Sequence, residues 1–224
     1  MKICGFSTAP DVGNHRAVLI GALAVPATAL LAVGVPSPGR LSWHMATHIA
    51  CMNIAAPLAA VLLSQCNKEP TRMWSGSATL WGATLAQLAI LWASHIPSVH
   101  HGVQTEPAAV IALHALLFLV ALAFWLSVTG SPHQWHSVLA LLVSGKLSCL
   151  LGVLLTFAPR PLFAKVHAAH SGHEALLADQ HLAGLLMIAA CPLSYVLTAV
   201  VLAIQAVKAL DETCTSRSVA PVGR

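Results

Sequence analysis

Apolar runs recur along this chain, and they constrain its fold more than any other feature. Each run is about 20 residues long, which is the length of helix that spans a hydrocarbon core of roughly 30 Å. The runs lack the two-residue alternation of a membrane barrel. With 57% hydrophobic and 8% charged residues and a mean hydropathy of +0.78, the chain has too little polar surface for a soluble domain. We therefore expect an all-α membrane protein.

The runs predict a bundle of about six transmembrane helices. They lie at residues 17–35, 43–63, 78–96, 108–128, 138–157 and 182–207. We assign residues 1–210 to a single transmembrane domain and residues 211–224 to a disordered polar tail. The first run is too long for the core of a signal peptide, which favours a retained helix. Pro57 interrupts the second run, so it should leave a carbonyl near Asn53 that a neighbouring helix must satisfy.

The distribution of lysine and arginine predicts the orientation of this bundle. Seven of these residues fall on the side of the N-terminus and three on the other: Lys2, Arg16, Lys68, Arg72, Lys208, Arg217 and Arg224, against Arg40, Arg160 and Lys165. The positive-inside rule then places both termini in the cytoplasm. The same predicted topology places ten of the 13 histidines in or next to extracytoplasmic segments: His44, His48, His95, His100, His101, His114, His167, His170, His173 and His181.

The second run, which contains WHMATHIACMNIAAP, carries side chains that bind metals. Residues four apart on a helix lie about 6 Å apart at Cβ, so His44 and His48 could chelate one ion. Cys51 and Met52 share their face, with Met45 at its edge, and such soft ligands combined with imidazole favour Cu(I). Spacing alone leaves open a second interpretation, in which the histidines lie at the membrane interface and contact water, headgroups or backbone.

Two further segments add candidate residues. His114 stands alone on an apolar helix, as buried structural histidines often do, but its depth resembles that of His48 and the two could meet. Asp179 precedes the sixth run, with His181 two residues later. Asp179 is interpreted as the cap of its own helix, as a group that orients a ligand imidazole, or as both.

Other functional classes find little support. The basic residues are scattered instead of forming a run, so no nucleic-acid surface is indicated. The six cysteines form no CxxC pair, and we expect free thiols. No set of residues indicates catalysis, and we expect a protein that is not an enzyme.

Three motifs together resemble the CtaG family of polytopic membrane proteins, which assist assembly of cytochrome c oxidase of the caa type. They are WHMATHIACMNIAAP, LHALLFLVALAFW and DQHLAGLLM, and the resemblance covers the chain from about residue 40 to about residue 205. It implies a multi-pass protein of the bacterial plasma membrane that is needed to insert copper into the oxidase. The positions that match the motifs of the family are His44, Met45, His48, Met52, His114, Asp179 and Gln180.

The leading hypothesis is an assembly factor that binds Cu(I) transiently at the extracytoplasmic side of the bilayer. Its expected partners are oxidase subunits and a periplasmic copper donor. His44 and His48 would be the primary ligands, with contributions from the remaining candidates, which are His114, His181, Met45, Met52 and Asp179. One alternative is a b-type cytochrome with haem between His48 and His114. Another is an accessory subunit of a respiratory complex without a cofactor.

Overall fold

The computed structural model describes residues 41–66, 74, 76–163 and 172–219. Within these residues every regular element is helical and no strand occurs, as the composition predicts. The helices are α1 (Leu41–Ile49), a π-helical segment (Ala50–Ala55), α2 (Ala56–Cys66), α3 (Ser77–Ser94), α4 (Pro97–Gln104), α5 (Pro107–Gly130), α6 (Gln134–Phe157) and α7 (His173–Val219). The first three are continuous and form one rod.

Four helices of the described chain are long and apolar enough to cross a membrane. They are Leu41–Gln65, Pro107–Gly130, Gln134–Phe157 and His173–Asp211. They correspond to the second, fourth, fifth and sixth predicted spans. The first predicted span, at 17–35, lies outside the described residues. Helix α3 occupies the third and is not among the four, so the count of six and the placement of the termini stay predictions.

The outward faces of these helices are apolar. Leu119 on α5, Leu154 on α6 and Leu193 on α7 are each more than half exposed in the isolated chain. Hydrocarbon is the solvent that accepts such a surface, because it offers no hydrogen bonds and requires none. The exposed leucines are therefore compatible with a bundle that is embedded in lipid.

Helices α6 and α7 approach each other most closely at two glycines. A Cβ atom added to Gly152 would lie 2.9 Å from the carbonyl oxygen of Gly184, and one added to Gly184 would lie 2.7 Å from the carbonyl oxygen of Gly152. Small residues permit such backbone contact between membrane helices. Helix α7 continues to Val219, beyond the point at Asp211 where we expected the polar tail to begin. Residues 220–224 lie outside the described residues.

The π-helical segment explains how the chain accommodates Pro57. The amide of Ala56 donates to the carbonyl of Cys51, five residues earlier. In the same register, the carbonyl of Met52 would accept from the amide of residue 57, which is a proline. Proline has no N–H, and the indole Nε1 of Trp125 donates to the Met52 carbonyl instead, at 3.1 Å. A neighbouring helix thus satisfies a freed carbonyl, as expected. The carbonyl is that of Met52, the neighbour of Asn53, because the π register shifts the pairing by one residue.

Candidate metal centre

The site lies at one end of the bundle, where α1 and α5 begin and α3 ends. Asp179 of α7 anchors the first turn of α1: its carboxylate accepts hydrogen bonds from the amide of Leu41, at 2.5 Å, and from the hydroxyl of Ser42. The expectation that Asp179 caps its own helix is wrong, because α7 begins earlier, at His173. The carboxylate instead accepts from one amide and one hydroxyl at the start of a different helix.

Three histidines converge at this end of the bundle. The ring centroids of His44 and His48 are 4.2 Å apart, and those of His114 lie 5.0 Å from His44 and 4.8 Å from His48. One ring nitrogen from each residue lies within 4.8 Å of the other two, so the three can serve as ligands of one ion. Helices α1 and α5 therefore bring together His48 and His114, as their similar depth in the sequence suggested. We call these three residues the histidine triad.

Four buried ring nitrogens of the triad lack hydrogen-bond partners. The buried atoms without a partner are Nε2 of His44, both ring nitrogens of His48 and Nε2 of His114. An unsatisfied buried polar atom costs about 1–3 kcal/mol, and proteins rarely accumulate several in one place. Ions bound by imidazole at about 2.0–2.1 Å hold the nitrogens roughly 3.4 Å apart, so side-chain adjustments on the order of 1 Å would complete a site here.

The protonation of His114 is fixed by its own helix. Its Nδ1 lies 2.7 Å from the carbonyl oxygen of Val110, which can only accept a hydrogen bond. Nδ1 therefore carries the proton, and the neutral ring directs the lone pair of Nε2 into the triad. A backbone carbonyl that binds the far nitrogen is the usual means of orienting a ligand imidazole.

Two more histidines border the triad, and neither was among the candidate ligands predicted from the sequence. The ring of His95 lies 5.4 Å from that of His48, and the ring of His100 lies 5.0 Å from that of His44. His100 belongs to α4, where it also packs against Phe163. Burial, together with the nearby His95 and His101, lowers the pKa of His100 to about 4. Their predicted placement next to extracytoplasmic segments, with His44, was the signal that could have identified them.

The remaining predicted site residues have different surroundings. Met45 is fully buried, and its Sδ lies 3.1 Å from Nε2 of His95. Met52 is buried and lines a small cavity of about 10 Å³ together with His48. His181 is half-buried on α7, and within the described chain its ring contacts none of the triad.

Gln180, which matches a position of the family motif, serves the loop after α6. Its Oε1 accepts from the amide of Leu162 at 2.7 Å, and its Nε2 donates to the carbonyl of Leu155 at 3.2 Å. These bonds fix the end of α6 against the first turns of α7. The side chain therefore has a structural role away from the triad.

A comparison with family models identifies the relatives of this chain. The model for cytochrome c oxidase caa3 assembly factors, Caa3_CtaG, matches residues 9–209. Searches of curated proteins and of solved structures find no significant match. The match extends over most of the chain, including all the residues of the triad. The protein belongs to the family of cytochrome c oxidase caa3 assembly factors.

Proposed function

We propose that this assembly factor is a non-enzymatic copper carrier, which holds Cu(I) at the histidine triad and passes it to an oxidase subunit. The single observation that carries the proposal is the convergence of unpartnered nitrogens from His44, His48 and His114. Coordination of one ion would satisfy a nitrogen of each ring at once. Membership of the oxidase assembly family supports an oxidase subunit as the recipient.

The charge of the site favours a monovalent ion. The triad consists of neutral imidazoles, and the group includes no carboxylate. A cation held at membrane depth without an anionic ligand pays a desolvation cost that rises steeply with its charge. Imidazole binds copper and zinc alike, but only copper offers a monovalent form. Cu(I) is therefore the ion that fits this environment best.

The position of the triad near one end of the bundle supports transient binding. The triad lies near the end of the bundle, with His100 and the half-buried His101 leading toward the outside. Under the predicted topology this end faces the extracytoplasmic side of a bacterial plasma membrane. A copper donor and the recipient subunit would approach there, and ligands would exchange one at a time without a change of oxidation state.

The geometry gives less support to haem. A bis-histidine haem needs a flat slot between two opposed rings, whereas the rings of His48 and His114 contact each other directly with a centroid distance of 4.8 Å. The adjoining cavity has room for about one water molecule. A Soret band in the purified protein would nevertheless support the haem alternative.

Cu(I) binding by the purified protein in detergent tests the proposal. Competition with a coloured Cu(I) chelator should show one tightly bound equivalent, and a His48→Ala, His114→Ala double variant should lose it. The matched control is His133→Ala with His136→Ala, because those rings also contact each other, at 5.3 Å, but lie at the opposite end of α5. Equal binding by the triad variant and the wild type would refute the carrier.

Copper content of the oxidase provides the test in cells. A strain that carries the triad variant should assemble an oxidase deficient in copper, whereas the control variant should give full content. Normal copper content with the triad variant would favour the alternative of an accessory subunit without a cofactor.

A further inference from the structure

A second pair of ligand atoms lies beside the triad. Nε2 of His95, at the end of α3, is 3.1 Å from Sδ of Met45 on α1. The His95 side chain is 7% exposed and that of Met45 is fully buried. Imidazole and thioether are both metal ligands, and here they approach each other directly.

The hydrogen bonds of His95 show which of its nitrogens carries the proton. Nδ1 lies 2.7 Å from the carbonyl oxygen of Leu91, which can only accept. It also lies 3.0 Å from the hydroxyl of Ser94, whose own proton is donated to the same Leu91 carbonyl at 2.6 Å. Neither oxygen can donate to Nδ1, so Nδ1 carries the proton. In the neutral ring Nε2 then presents a lone pair to the sulfur.

Two lone pairs that face each other at this distance repel, and an electrophile bound to both atoms would remove the repulsion. With metal–nitrogen and metal–sulfur bonds of about 2.0 and 2.3 Å, the two atoms would move apart by roughly 0.5–1 Å to hold an ion. In the neutral ring no hydrogen lies in this contact, since its one N–H proton is committed to the carbonyl of Leu91. A soft monovalent cation would turn the repulsion into two coordination bonds, and mixed imidazole and thioether ligands select ions such as Cu(I). The pair thus resembles the triad in having ligand atoms that hydrogen bonding leaves unused.

We propose that His95 and Met45 form a second binding position for a soft monovalent ion, adjacent to the histidine triad. This proposal rests on the carrier function above and adds a step to it. The rings of His95 and His48 lie 5.4 Å apart, so an ion could exchange His48 for His95 while staying bound to protein ligands. Because two cations at neighbouring positions repel, the second ion binds more weakly than the first.

Titration with Ag(I), a soft ion that does not change oxidation state under these conditions, tests the inference. The full-length parent protein, called the wild type in this titration, carries alanine in place of its six cysteines, because free thiols bind silver more tightly than imidazole or thioether does. Calorimetry of the wild type should resolve a tight and a weaker equivalent. Met45→Leu preserves volume and removes the thioether, so it should abolish the weaker phase and leave the tight one. His95→Gln should have the same effect. X-ray absorption at the silver edge should show sulfur in the ligand shell of the wild type at two equivalents and none in Met45→Leu.

The matched controls are Met187→Leu, a buried methionine of α7, and His136→Gln, an exposed histidine; both phases should persist in each. A single phase in the wild type, or a weaker phase that persists in Met45→Leu, would overturn the second position. The two proposals fail in different ways. If the double variant of His48 and His114 loses the tight phase alone, both the triad site and the His95–Met45 position are supported. If silver binds only through Met45, the triad site is refuted and the His95–Met45 position is retained.

Discussion

The indole nitrogen of Trp125 on α5 donates a hydrogen bond to the backbone carbonyl of Met52, the acceptor that Pro57 leaves without a donor. The same indole stacks on the ring of Tyr195 from α7, with a centroid distance of 5.6 Å. One side chain therefore links the π-helical segment to two other helices. This segment begins two residues after His48, so the bond also stabilises the helix that carries most of the triad.

Removal of the Trp125 donor should destabilise the protein. Trp125→Phe keeps an aromatic ring against Tyr195 but leaves the Met52 carbonyl unsatisfied, at a cost of about 1–3 kcal/mol in the free energy of unfolding. Pro57→Ala restores a backbone N–H at the required position. The loss of stability caused by Trp125→Phe should therefore be smaller in the Pro57→Ala background. Denaturant unfolding in detergent of the wild type, the two single variants and the double variant measures this difference. Identical costs in both backgrounds would show that the indole does not replace the missing amide.

Alanine substitutions at two glycines should have opposite effects. Gly184→Ala places a methyl group 2.7 Å from the Gly152 carbonyl and 2.8 Å from the amide of Thr156, so the backbones of α6 and α7 must separate. We expect a loss of about 1–3 kcal/mol in stability. Gly82 on α3 has no atom within 4 Å of an added Cβ, and Gly82→Ala should raise stability by up to about 1 kcal/mol through helix propensity. Thermal unfolding of both variants provides the comparison, and equal shifts would contradict the close contact.

Acidification should destabilise the fold through His100. Its pKa is about 4 in the folded chain against an ordinary value of 6.5, so the unfolded chain binds more protons between these values. The contribution of His100 to stability is complete above pH 6.5 and is lost as the pH falls to about 4. His100→Phe, which keeps a ring against Phe163, should show a weaker decline of melting temperature over this range. A slope unchanged in His100→Phe would contradict the prediction.

The role of Asp179 can be separated from metal ligation. Asp179→Ala removes the acceptors of Leu41 and Ser42 and should cost about 1–2 kcal/mol. Asp179→Asn retains an acceptor oxygen and should recover much of that stability. Because the carboxylate is bonded to α1, Asp179→Asn should also bind Cu(I) as tightly as the wild type. A marked loss of Cu(I) affinity in the asparagine variant, without a loss of stability, would instead identify the carboxylate as a ligand.

Sequence patterns predicted much of the bundle and part of the site. The apolar runs identified the four long helices, and the HxxxH spacing, with the depth of His114, identified the triad residues. The sequence did not predict the role of Asp179, because a carboxylate near the start of a helix usually caps that same helix. The packing of α7 on α1 is needed to see that this carboxylate binds the first turn of α1 instead. His95 was missed because a histidine at the end of a helix has no periodic signal. Its contact with Met45 joins residues 50 positions apart.

Asp179 and Trp125 fix the helices of the triad at two different depths. His44 and His48 lie on a helix whose first turn Asp179 fastens to α7, whereas His114 lies on α5, which Trp125 joins to the same rod at Met52. The spacing of the three ligands therefore depends on helix packing at both levels, and no single helix determines it alone.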